Sequence, residues 1–348
     1  MRGWLTMDRM RLIMERSIPQ LESLARAALE RSGTRADNAR SVVQALIAAE
    51  LDDLPSHGLS RVAYYADQAA VGKVDGQATP VLSQSGSVVG VDASTGFAYP
   101  AIEAGIPAAV SAARRQGIAA LGIHRSHHFG VAGHHVEAMA RQGVVALGFG
   151  NAPAAIAPWG GKRPLFGTDP IAFAAPRSTP DPLVIDLSVS RVARGKVMMA
   201  QRKGEAIPPE WALDREGQPT TDAVAAMAGS VRPMGDAKGA ALALMVELLA
   251  AGLTGASFAY EASSLFDAEG GPPRLGQLFL LLEPGFFAGG DDFLRRVEAM
   301  LSTMAEEPGV RLPGERRLAA RHGHDQTIDL DAAILADLEQ RARSAPAG

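Results

Sequence analysis

The chain has 348 residues, of which 47% are hydrophobic and 21% charged, and its formal net charge is −4. This length exceeds one ordinary domain, and the composition is that of a globular protein rather than a disordered one. A mildly acidic chain lacks the broad basic face that nucleic acid binding requires. Because the sequence contains no cysteine, disulfides, thiolate nucleophiles and cysteine zinc sites are excluded.

The apolar segments predict a cytoplasmic protein with no membrane contact. Residues 1–16 carry four arginines and no continuous apolar core, so we read no export signal there. The most apolar stretch, residues 240–256, contains Glu247 and is short for a bilayer span. We therefore expect a buried helix at that position.

A helical lobe is predicted first along the chain. Residues 19–70 have a helical pattern in which Val43, Leu46, Ile47 and Leu51 fall on one face. We expect this lobe to span residues 15–75, with the C-terminal helices of residues 285–343 nearby. Residues 76–284 are expected to form the dinucleotide- and substrate-binding domain.

An α/β core is predicted next. Two β-rich runs within 81–91 indicate a hairpin, and a helical stripe that stops at Gly117 leads into a strand at 118–123. A second helix ends at Gly143 and leads into a strand at 144–149, so a layered α/β fold is expected. Further strands are expected at 171–175, 183–187 and 277–282, further helices at 190–201, 240–253, 287–305 and 331–343, and an extended loop at 202–235.

The standard dinucleotide fingerprint G-x-G-x-x-G is missing after the predicted strands, because Gly148-Phe149-Gly150 continues as Asn-Ala-Pro. Any dinucleotide site is therefore expected to be of another type.

Histidines are concentrated just after the strand at 118–123. Five of the eight lie within twelve positions, in the kind of loop where α/β proteins bind ligands. His128 stands out because Phe129-Gly130 follow it at an expected helix start, whereas the others could simply form hydrogen bonds. The five are His124, His127, His128, His134 and His135.

These histidines also allow a protein of another class, a non-catalytic metal- or ligand-binding protein using the cluster from His124 to His135. The sequence has no H-E-x-x-H motif, and Glu137 is the one nearby carboxylate at ligand spacing. No metal site is predicted on this spacing.

A second candidate site is Ser56-His57-Gly58 followed by Arg61. Arginine binds a carboxylate through two parallel hydrogen bonds, and histidine exchanges a proton near neutral pH. The two would thus serve one pocket. The alternative is a polar helix start capped by Ser56.

Two segments could bind phosphate. Lys238 lies at the start of an apolar helix, where free backbone N–H groups attract an anion. Arg311, Arg316 and Arg317 are close together in what reads as a turn, which could hold phosphate or simply be solvated.

Several ordered segments resemble the malate/L-lactate dehydrogenase family of type 2, which includes sulfolactate, ureidoglycolate and Δ1-piperideine-2-carboxylate oxidoreductases. The resemblance runs from about Leu21 to Leu338 and implies a dimer with a non-Rossmann fold on a largely antiparallel sheet. The segments that carry it are S-H-G at 56–58 with Arg61, S-H-H-F-G at 126–130, A-P-W-G-G at 157–161, L-F-G-T-D-P at 165–170, V-I-D-L-S at 184–188, R-G-K at 194–196, I-P at 207–208 and K-G at 238–239.

The resemblance also implies roles, position by position. His128 matches the proton acceptor of some members, and Ser56 with His57 matches a proton relay of others, so both histidines remain candidates. Arg61 and Thr168 match substrate-binding positions. The matching cofactor positions, whose arginines favour NADP over NAD, are His127, His128, Phe129, Gly130, Val131, Asp186, Leu187, Ser188, Lys238, Arg311, Leu312, Pro313, Gly314, Glu315, Arg316 and Arg317.

The expected activity is hydride transfer between NAD(P) and C2 of a small 2-oxo or 2-hydroxy acid of the (2R)-3-sulfolactate, L-lactate or L-malate type. Residues 261–273 resemble a sulfolactate dehydrogenase segment, whereas residues 311–317 also resemble the piperideine-carboxylate reductases. The alternative is therefore a Δ1-piperideine- or Δ1-pyrroline-2-carboxylate reductase, although the relay aspartate of those reductases falls at Lys196 here. Residues 234–237 depart from the family, which usually has two glycines shortly before the lysine matching Lys238.

Overall fold

The computed structural model describes residues 13–343. The prediction about an export signal therefore lies mostly outside the described residues. The first half contains β1 (Ile13–Ser17), α1 (Ile18–Arg31), α2 (Ala36–Leu51), α3 (Val62–Ala70), β2 (Val81–Ser85), β3 (Val88–Asp92), α4 (Ala98–Gln116), β4 (Ile118–Ser126), α5 (Ala132–Ala140) and β5 (Val145–Gly150). The second half contains β6 (Ile171–Ala175), β7 (Leu183–Leu187), α6 (Arg194–Lys203), β8 (Ala212–Leu213), α7 (Ala223–Ala228), β9 (Ser230–Val231), α8 (Ala237–Glu247), β10 (Leu275–Leu282), α9 (Gly290–Ala305), α10 (Glu315–Gly323), β11 (Thr327–Asp331) and α11 (Ala332–Arg343).

The main sheet has seven strands in the order β2-β3-β4-β10-β5-β6-β7. Of its six pairings, β3 with β4 is parallel and the other five are antiparallel. The predicted α/β class with a largely antiparallel sheet is confirmed. Strand β10 comes late in the chain, yet it separates β4 from β5 and pairs with both of them.

Helices cover both faces of this sheet. On one face, α4 and α5 bury apolar residues such as Ile102 and Val136 against Leu121 and Phe279 of the strands. On the other, the segment from α8 through a π-helical turn at Leu248–Gly252 packs Val246 and Ala250 against β5 and β10. The loops at the carboxyl end of β4 are thus held by a rigid three-layer core.

The N-terminal helices and the C-terminal residues share a second core. Helix α1 starts with Pro19 in its first turn and a reciprocal Ser17–Gln20 capping box, both typical helix-start signals. The apolar faces of α1, α2 and α3 bury Leu21, Leu46 and Tyr65 together with residues of β11 and α11. Strands β1 and β11, which the sequence did not predict, pair in antiparallel fashion.

Two sequence predictions were wrong. The segment 202–235 is not all extended loop, because it contains α7 and the short β8–β9 pair; α7 is too brief for an apolar stripe and begins where Asp222 accepts a hydrogen bond from the Val224 backbone N–H. The arginine run is not all turn, because α10 begins at Glu315 after Gly314, whose φ is +85°. Arg317 of this run and Arg321 in the same helix are fixed by carboxylates distant in sequence.

A helix is present at the predicted residues 240–253, as α8 and its π-helical extension, but it is buried on one face only, since Leu244, Leu248 and Leu253 are exposed. Within residues 13–343, none of the helices is both long and apolar enough to cross a bilayer.

Candidate active site

The site is built around the loop that leaves strand β4. Gly130 in this loop has a φ of +70°, and a Cβ there would lie 2.5 Å from the Tyr99 hydroxyl oxygen. Only glycine fits so close to the tyrosine in this left-handed conformation. The loop therefore follows a fixed path that carries His127 and His128 directly before it.

His128 is held by a tyrosine of helix α3. Its Nδ1 lies 2.6 Å from the Tyr65 hydroxyl oxygen, which in turn lies 3.2 Å from the hydroxyl oxygen of Tyr99. Burial, followed by the positive charge of Arg61, lowers the pKa of His128 well below its usual value. The imidazole is therefore neutral at physiological pH.

His57 lies against His128. Their rings are stacked with centroids 5.6 Å apart, and the Ser56 hydroxyl oxygen lies 3.0 Å from His57 Nδ1. Burial and the nearby Arg61 lower the pKa of His57 to about 4. The two histidines proposed as alternatives thus belong to one group, and Ser56 contacts the outer one.

Arg61 completes this group at the start of helix α3. Its Nε donates to the Ser56 backbone carbonyl at 2.7 Å, and its guanidinium carbon lies 4.8 Å from the Phe266 ring centroid. The side chain is thereby fixed, and the guanidinium still has two terminal nitrogens for a carboxylate. The structure therefore brings together Ser56, His57, Arg61 and His128 from two distant parts of the sequence.

His127 points away from its neighbour and into the protein. Its Nε2 lies 2.7 Å from the Gln68 Oε1, and the Gln68 amide nitrogen donates to the Asp267 carbonyl at 2.8 Å. Since the amide oxygen must accept, His127 carries its proton on Nε2, and its buried Nδ1 has no hydrogen-bond partner in the described structure. Burial lowers the pKa of His127 to about 3.

The other histidines of the cluster contact residues outside the His57–His128 pair. His134 Nε2 lies 2.7 Å from Asp52, and His135 Nε2 lies 2.7 Å from the Phe129 carbonyl while its ring stacks on Phe129. His124 lies beside Asp92 at 3.9 Å. Among residues 13–343, no group of three or more His, Cys, Asp or Glu side chains has the arrangement of a metal site.

Two of the expected cofactor segments meet at the start of helix α5. Asp186, near the end of edge strand β7, accepts a hydrogen bond at 2.7 Å from the Gly133 backbone N–H, just after residues 127–131. Burial raises the pKa of Asp186. Ser188 donates its hydroxyl to the Thr168 carbonyl at 2.9 Å, so the predicted substrate-binding Thr168 adjoins the same segment.

The expected phosphate-binding residues divide into two kinds. Arg317 is largely buried and lies 3.2 Å from Asp52 and 3.1 Å from Glu137, and Arg321 pairs with the same two carboxylates. Arg311 and Arg316 are exposed. Arg317 thus anchors α10, which leaves the other two arginines for an anion.

Lys238 is exposed in the first turn of α8, where no side chain caps the helix. A Cβ on Gly239 would lie 2.0 Å from the Met234 carbonyl oxygen, so the backbone turns tightly here without the family's two glycines. In the part of the chain that the structure describes, no hydrogen bond or ion pair joins Lys238 to the histidine pair. The structure does not bring this predicted residue into direct contact with the others.

Sequence reasoning missed Tyr65, Tyr99, Gln68 and Phe266. Helix α3 does carry a signal, because Arg61, Tyr65 and Gln68 have the i, i+4, i+7 spacing of one helical face. Tyr99 and Phe266 come from other elements, and nothing local in the sequence indicates that they approach the site.

Comparison with known proteins settles the family. The model of the malate/L-lactate dehydrogenase family matches residues 17–339. This chain belongs to the malate/L-lactate dehydrogenase family. The predictions of this family and of an oxidoreductase of its dehydrogenase type are confirmed.

Individual relatives of this chain are named for different activities. A protein from Chromohalobacter salexigens named (2R)-3-sulfolactate dehydrogenase (NADP(+)) is 54% identical over 94% of this chain and 98% of its own length. A Δ1-pyrroline-2-carboxylate reductase from Ancylobacter novellus is 38% identical over 93% of this chain and 96% of its own. The crystal structure of Δ1-piperideine-2-carboxylate reductase from Pseudomonas syringae superposes with a TM-score of 0.87 at 38% identity, covering 94% of this chain and 99% of that one.

Proposed function

We propose that this protein is an NADP-dependent dehydrogenase that interconverts (2R)-3-sulfolactate and the corresponding 2-oxo acid. The proposal rests mainly on the cluster of Arg61, His57 and His128. In this cluster a guanidinium that can bind a carboxylate lies near two imidazoles that can exchange a proton. The relative at 54% identity that bears this activity in its name supports the choice of substrate. NAD is the alternative cofactor.

Arg61 binds the substrate carboxylate in this proposal. Its Nε is occupied by the Ser56 carbonyl, so the terminal nitrogens face the ligand in a fixed plane. Thr168, beside Ser188, lies at the matching substrate-binding position and would contact the remaining polar group. Together they orient C2, the carbon at which hydride is exchanged with the bound nicotinamide.

His128 transfers the proton of the substrate oxygen, and His57 with Ser56 is the alternative carrier. Because burial keeps both imidazoles neutral, either can accept the hydroxyl proton as the 2-hydroxy acid is oxidised. In the reverse direction the protonated ring returns it to the carbonyl oxygen. General acid–base catalysis of this kind contributes about 10²–10⁴-fold to the rate.

The residues around the site fit a dinucleotide. The uncapped first turn of α8 with the exposed Lys238 suits a phosphate. The exposed Arg311 and Arg316 are suited to an additional phosphate, which favours NADP. In this proposal residues 127–131, 186–188, Lys238 and 311–316 hold the cofactor, while Arg317 holds α10 in place.

The second candidate is reduction of Δ1-piperideine- or Δ1-pyrroline-2-carboxylate. Two relatives with these names match at 38% identity over more than nine-tenths of this chain. Arg61 would bind the imino acid carboxylate equally well. Lys196, at the position of the reductases' relay aspartate, favours the hydroxy acid instead.

The test is a substrate panel followed at the nicotinamide absorbance. It compares (2R)-3-sulfolactate, L-lactate, L-malate and both cyclic imino acids, each with NADP and NAD and their reduced forms. We expect the largest kcat/KM for sulfolactate with NADP. A larger value for an imino acid would establish the second candidate, and stoichiometric zinc without dinucleotide binding would establish a non-catalytic protein.

Two variants test the assigned residues. His128→Asn should reduce kcat by about 10²–10⁴-fold while NADPH still quenches or enhances fluorescence as in the wild type. His57→Asn, measured beside it, identifies the carrier, because the larger loss of kcat marks the histidine that exchanges the proton. Wild-type kcat in both variants would contradict the assignment.

We also propose that the protein is a homodimer that acts in the cytoplasm. Helix α8 and its π-helical extension pack on the sheet through one face, while Leu244, Met245, Leu248 and Leu253 are exposed on the other. A helix that is apolar on all sides is normally buried. A second copy of this chain, related by a two-fold axis, would cover these exposed apolar residues. We expect a dimer by light scattering, converted to monomer by Leu248→Glu, and activity in the soluble cytoplasmic fraction of the source cells.

A further inference from the structure

The Nδ1 edge of the His128 ring contacts Tyr65, which in turn contacts Tyr99. The Tyr65 hydroxyl lies 2.6 Å from His128 Nδ1 and 3.2 Å from the Tyr99 hydroxyl. Both tyrosines are buried, with exposed fractions of 0% and 2%. Nδ1 is thus occupied, and Nε2 is the ring nitrogen that remains for substrate.

We propose that Tyr65, backed by Tyr99, is a positioning residue that fixes the ring of His128 and partners its Nδ1 in both protonation states. This inference rests on the proposed function, in which His128 exchanges the substrate proton.

The hydrogen-bond chemistry of a phenol explains how this works. When His128 is neutral with its proton on Nε2, the Tyr65 hydroxyl donates to Nδ1 and the Tyr99 hydroxyl donates to Tyr65. The neutral ring that can accept the substrate proton is the other tautomer, with its proton on Nδ1 and with Nε2 free; Nδ1–H donates to the Tyr65 oxygen, and the Tyr65 hydroxyl turns to Tyr99. When Nε2 takes the substrate proton, the imidazolium carries protons on both nitrogens and keeps the hydrogen bond from Nδ1–H to Tyr65.

A phenol differs here from the carboxylate that often orients a catalytic histidine. A carboxylate stabilises the imidazolium and raises its pKa, whereas a neutral phenol orients the ring without holding the charge. Burial raises the pKa of Tyr65 and raises that of Tyr99 well above the usual value, so both stay protonated. His128 can therefore release its proton readily after each turnover.

Among residues 13–343, the charged and titratable groups that act most strongly on His128 include no carboxylate that could take over this role. Those groups are Arg61, His57, His127 and His135, all of which disfavour the imidazolium. Tyr65 also packs edge-on against His127 and tilts against Phe97. Replacing it with phenylalanine keeps these ring contacts and removes only the hydroxyl.

The experiment compares Tyr65→Phe, Tyr99→Phe and the control Tyr260→Phe, which lies half exposed in another loop. We expect Tyr65→Phe to lower kcat by about 10- to 100-fold, toward the lower end of what acid–base catalysis contributes, with KM and NADPH affinity close to wild type. Tyr99→Phe should lower kcat by only a few-fold, and Tyr260→Phe should not change it. The pH–rate limb of His128 should move about one pH unit lower in Tyr65→Phe, since the imidazolium loses its acceptor.

A second readout does not depend on turnover. In ¹⁵N spectra of histidine-labelled protein, Tyr65→Phe should lower the titration midpoint of His128 and change the balance between its two tautomers. A lower kcat with an unmoved pH limb and an unmoved titration would reduce Tyr65 to a structural residue and overturn the inference. If instead the spectra change as expected but no substrate of the panel reacts, the proposed function fails and the tyrosine–histidine pairing stands.

Discussion

Arg61 and Phe266 are stacked, with the guanidinium carbon 4.8 Å from the ring centroid. The aromatic ring covers one face of the cation, and the Ser56 carbonyl takes its Nε. The cation–π contact and the hydrogen bond together fix the plane of the guanidinium, and therefore the direction from which a carboxylate can bind its terminal nitrogens. If Arg61 binds the substrate carboxylate as proposed, the loop that carries Phe266 borders the substrate pocket, although it lies some 200 residues further along the chain.

Arg61→Lys should raise KM by about 10- to 100-fold and change kcat much less. A lysine keeps the charge but loses the paired hydrogen bonds, which are worth about 1.5–3 kcal/mol to a charged acceptor. Initial rates across a range of substrate concentrations measure both constants. Arg295→Lys, on the exposed surface of α9, is the matched control and should behave as wild type. An unchanged KM in Arg61→Lys would show that the carboxylate binds elsewhere.

Lys73→Met should loosen the Phe266 loop. The ammonium of this buried lysine donates to the Asp267 carbonyl, the Asp267 carboxylate and the Glu269 carbonyl at 3.2, 3.1 and 2.5 Å. Methionine fills the space but forms none of these three hydrogen bonds, although Asp267 keeps those from Gln68 and from the Glu269 N–H. We therefore expect a free energy of unfolding lower by about 1–3 kcal/mol together with a higher KM. Lys203→Met, which removes only an exposed pair with Glu205, should change neither. Urea unfolding and steady-state kinetics check the two effects, and a stable variant with wild-type KM would contradict the prediction.

Stability should decline as the pH falls from about 6.5 toward 4. Burial lowers the pKa of His57 and His135 to about 4 and that of His127 to about 3, whereas in the unfolded chain they take up protons near 6.5. Below about 6.5 the unfolded state therefore binds more protons than the folded state, and the stability present above that pH is progressively lost. Urea midpoints measured across this range check the slope. His135→Gln, which can still donate to the Phe129 carbonyl, should give a shallower slope, and a flat wild-type profile would refute the explanation.

Asp169→Asn should stabilise the protein in neutral and alkaline solution. Burial and the neighbouring Glu247 raise the pKa of Asp169 well above its usual value, so its folded form holds a proton that the unfolded chain releases. Stability from this group is present at low pH and is lost as the pH rises through the folded pKa. Asparagine removes the titration and tolerates the φ of +43° at this position, so we expect the free energy of unfolding to rise by about 1 kcal/mol, as single stabilising substitutions commonly achieve.

Glu247→Gln is the counterpart of that variant and should destabilise the protein. Glu247 accepts backbone hydrogen bonds from Gly167 and Ala259 and one from the Asn151 amide, and an amide cannot replace all of these. Thermal unfolding of both variants at about pH 8 separates the two residues. A shift of both melting temperatures in the same direction would contradict the distinct roles.

The sequence predicted best what depends on local pattern. The β2–β3 hairpin, helix α4 with its left-handed end at Gly117, and strands β6 and β7 follow from periodicity and turn residues. Helix α10 was missed because ion pairs from Arg317 and Arg321 to distant carboxylates hold it, rather than an apolar stripe. The place of β10 in the sheet depends on pairings with β4 and β5 that no local signal encodes.

The same distinction holds for the site. His57, Arg61 and His128 could be named because their residue types match a chemistry, and the structure brings the rings of the two histidines into contact. Tyr65 was overlooked because a tyrosine on an apolar helix face reads as core, which it also is. Whether a core residue supports catalysis depends on what its one polar atom touches, and that requires the tertiary structure.

The position of β10 also bears on how the chain is made. Ribosomes deliver β4 and β5 more than a hundred residues before the strand that must lie between them. During that interval the edges of β4 and β5 lack the strand that pairs with them in the folded protein. Unpaired strand edges favour aggregation of the nascent chain or binding of chaperones. Correct pairing at the centre of the main sheet therefore depends on synthesis of the last quarter of the protein.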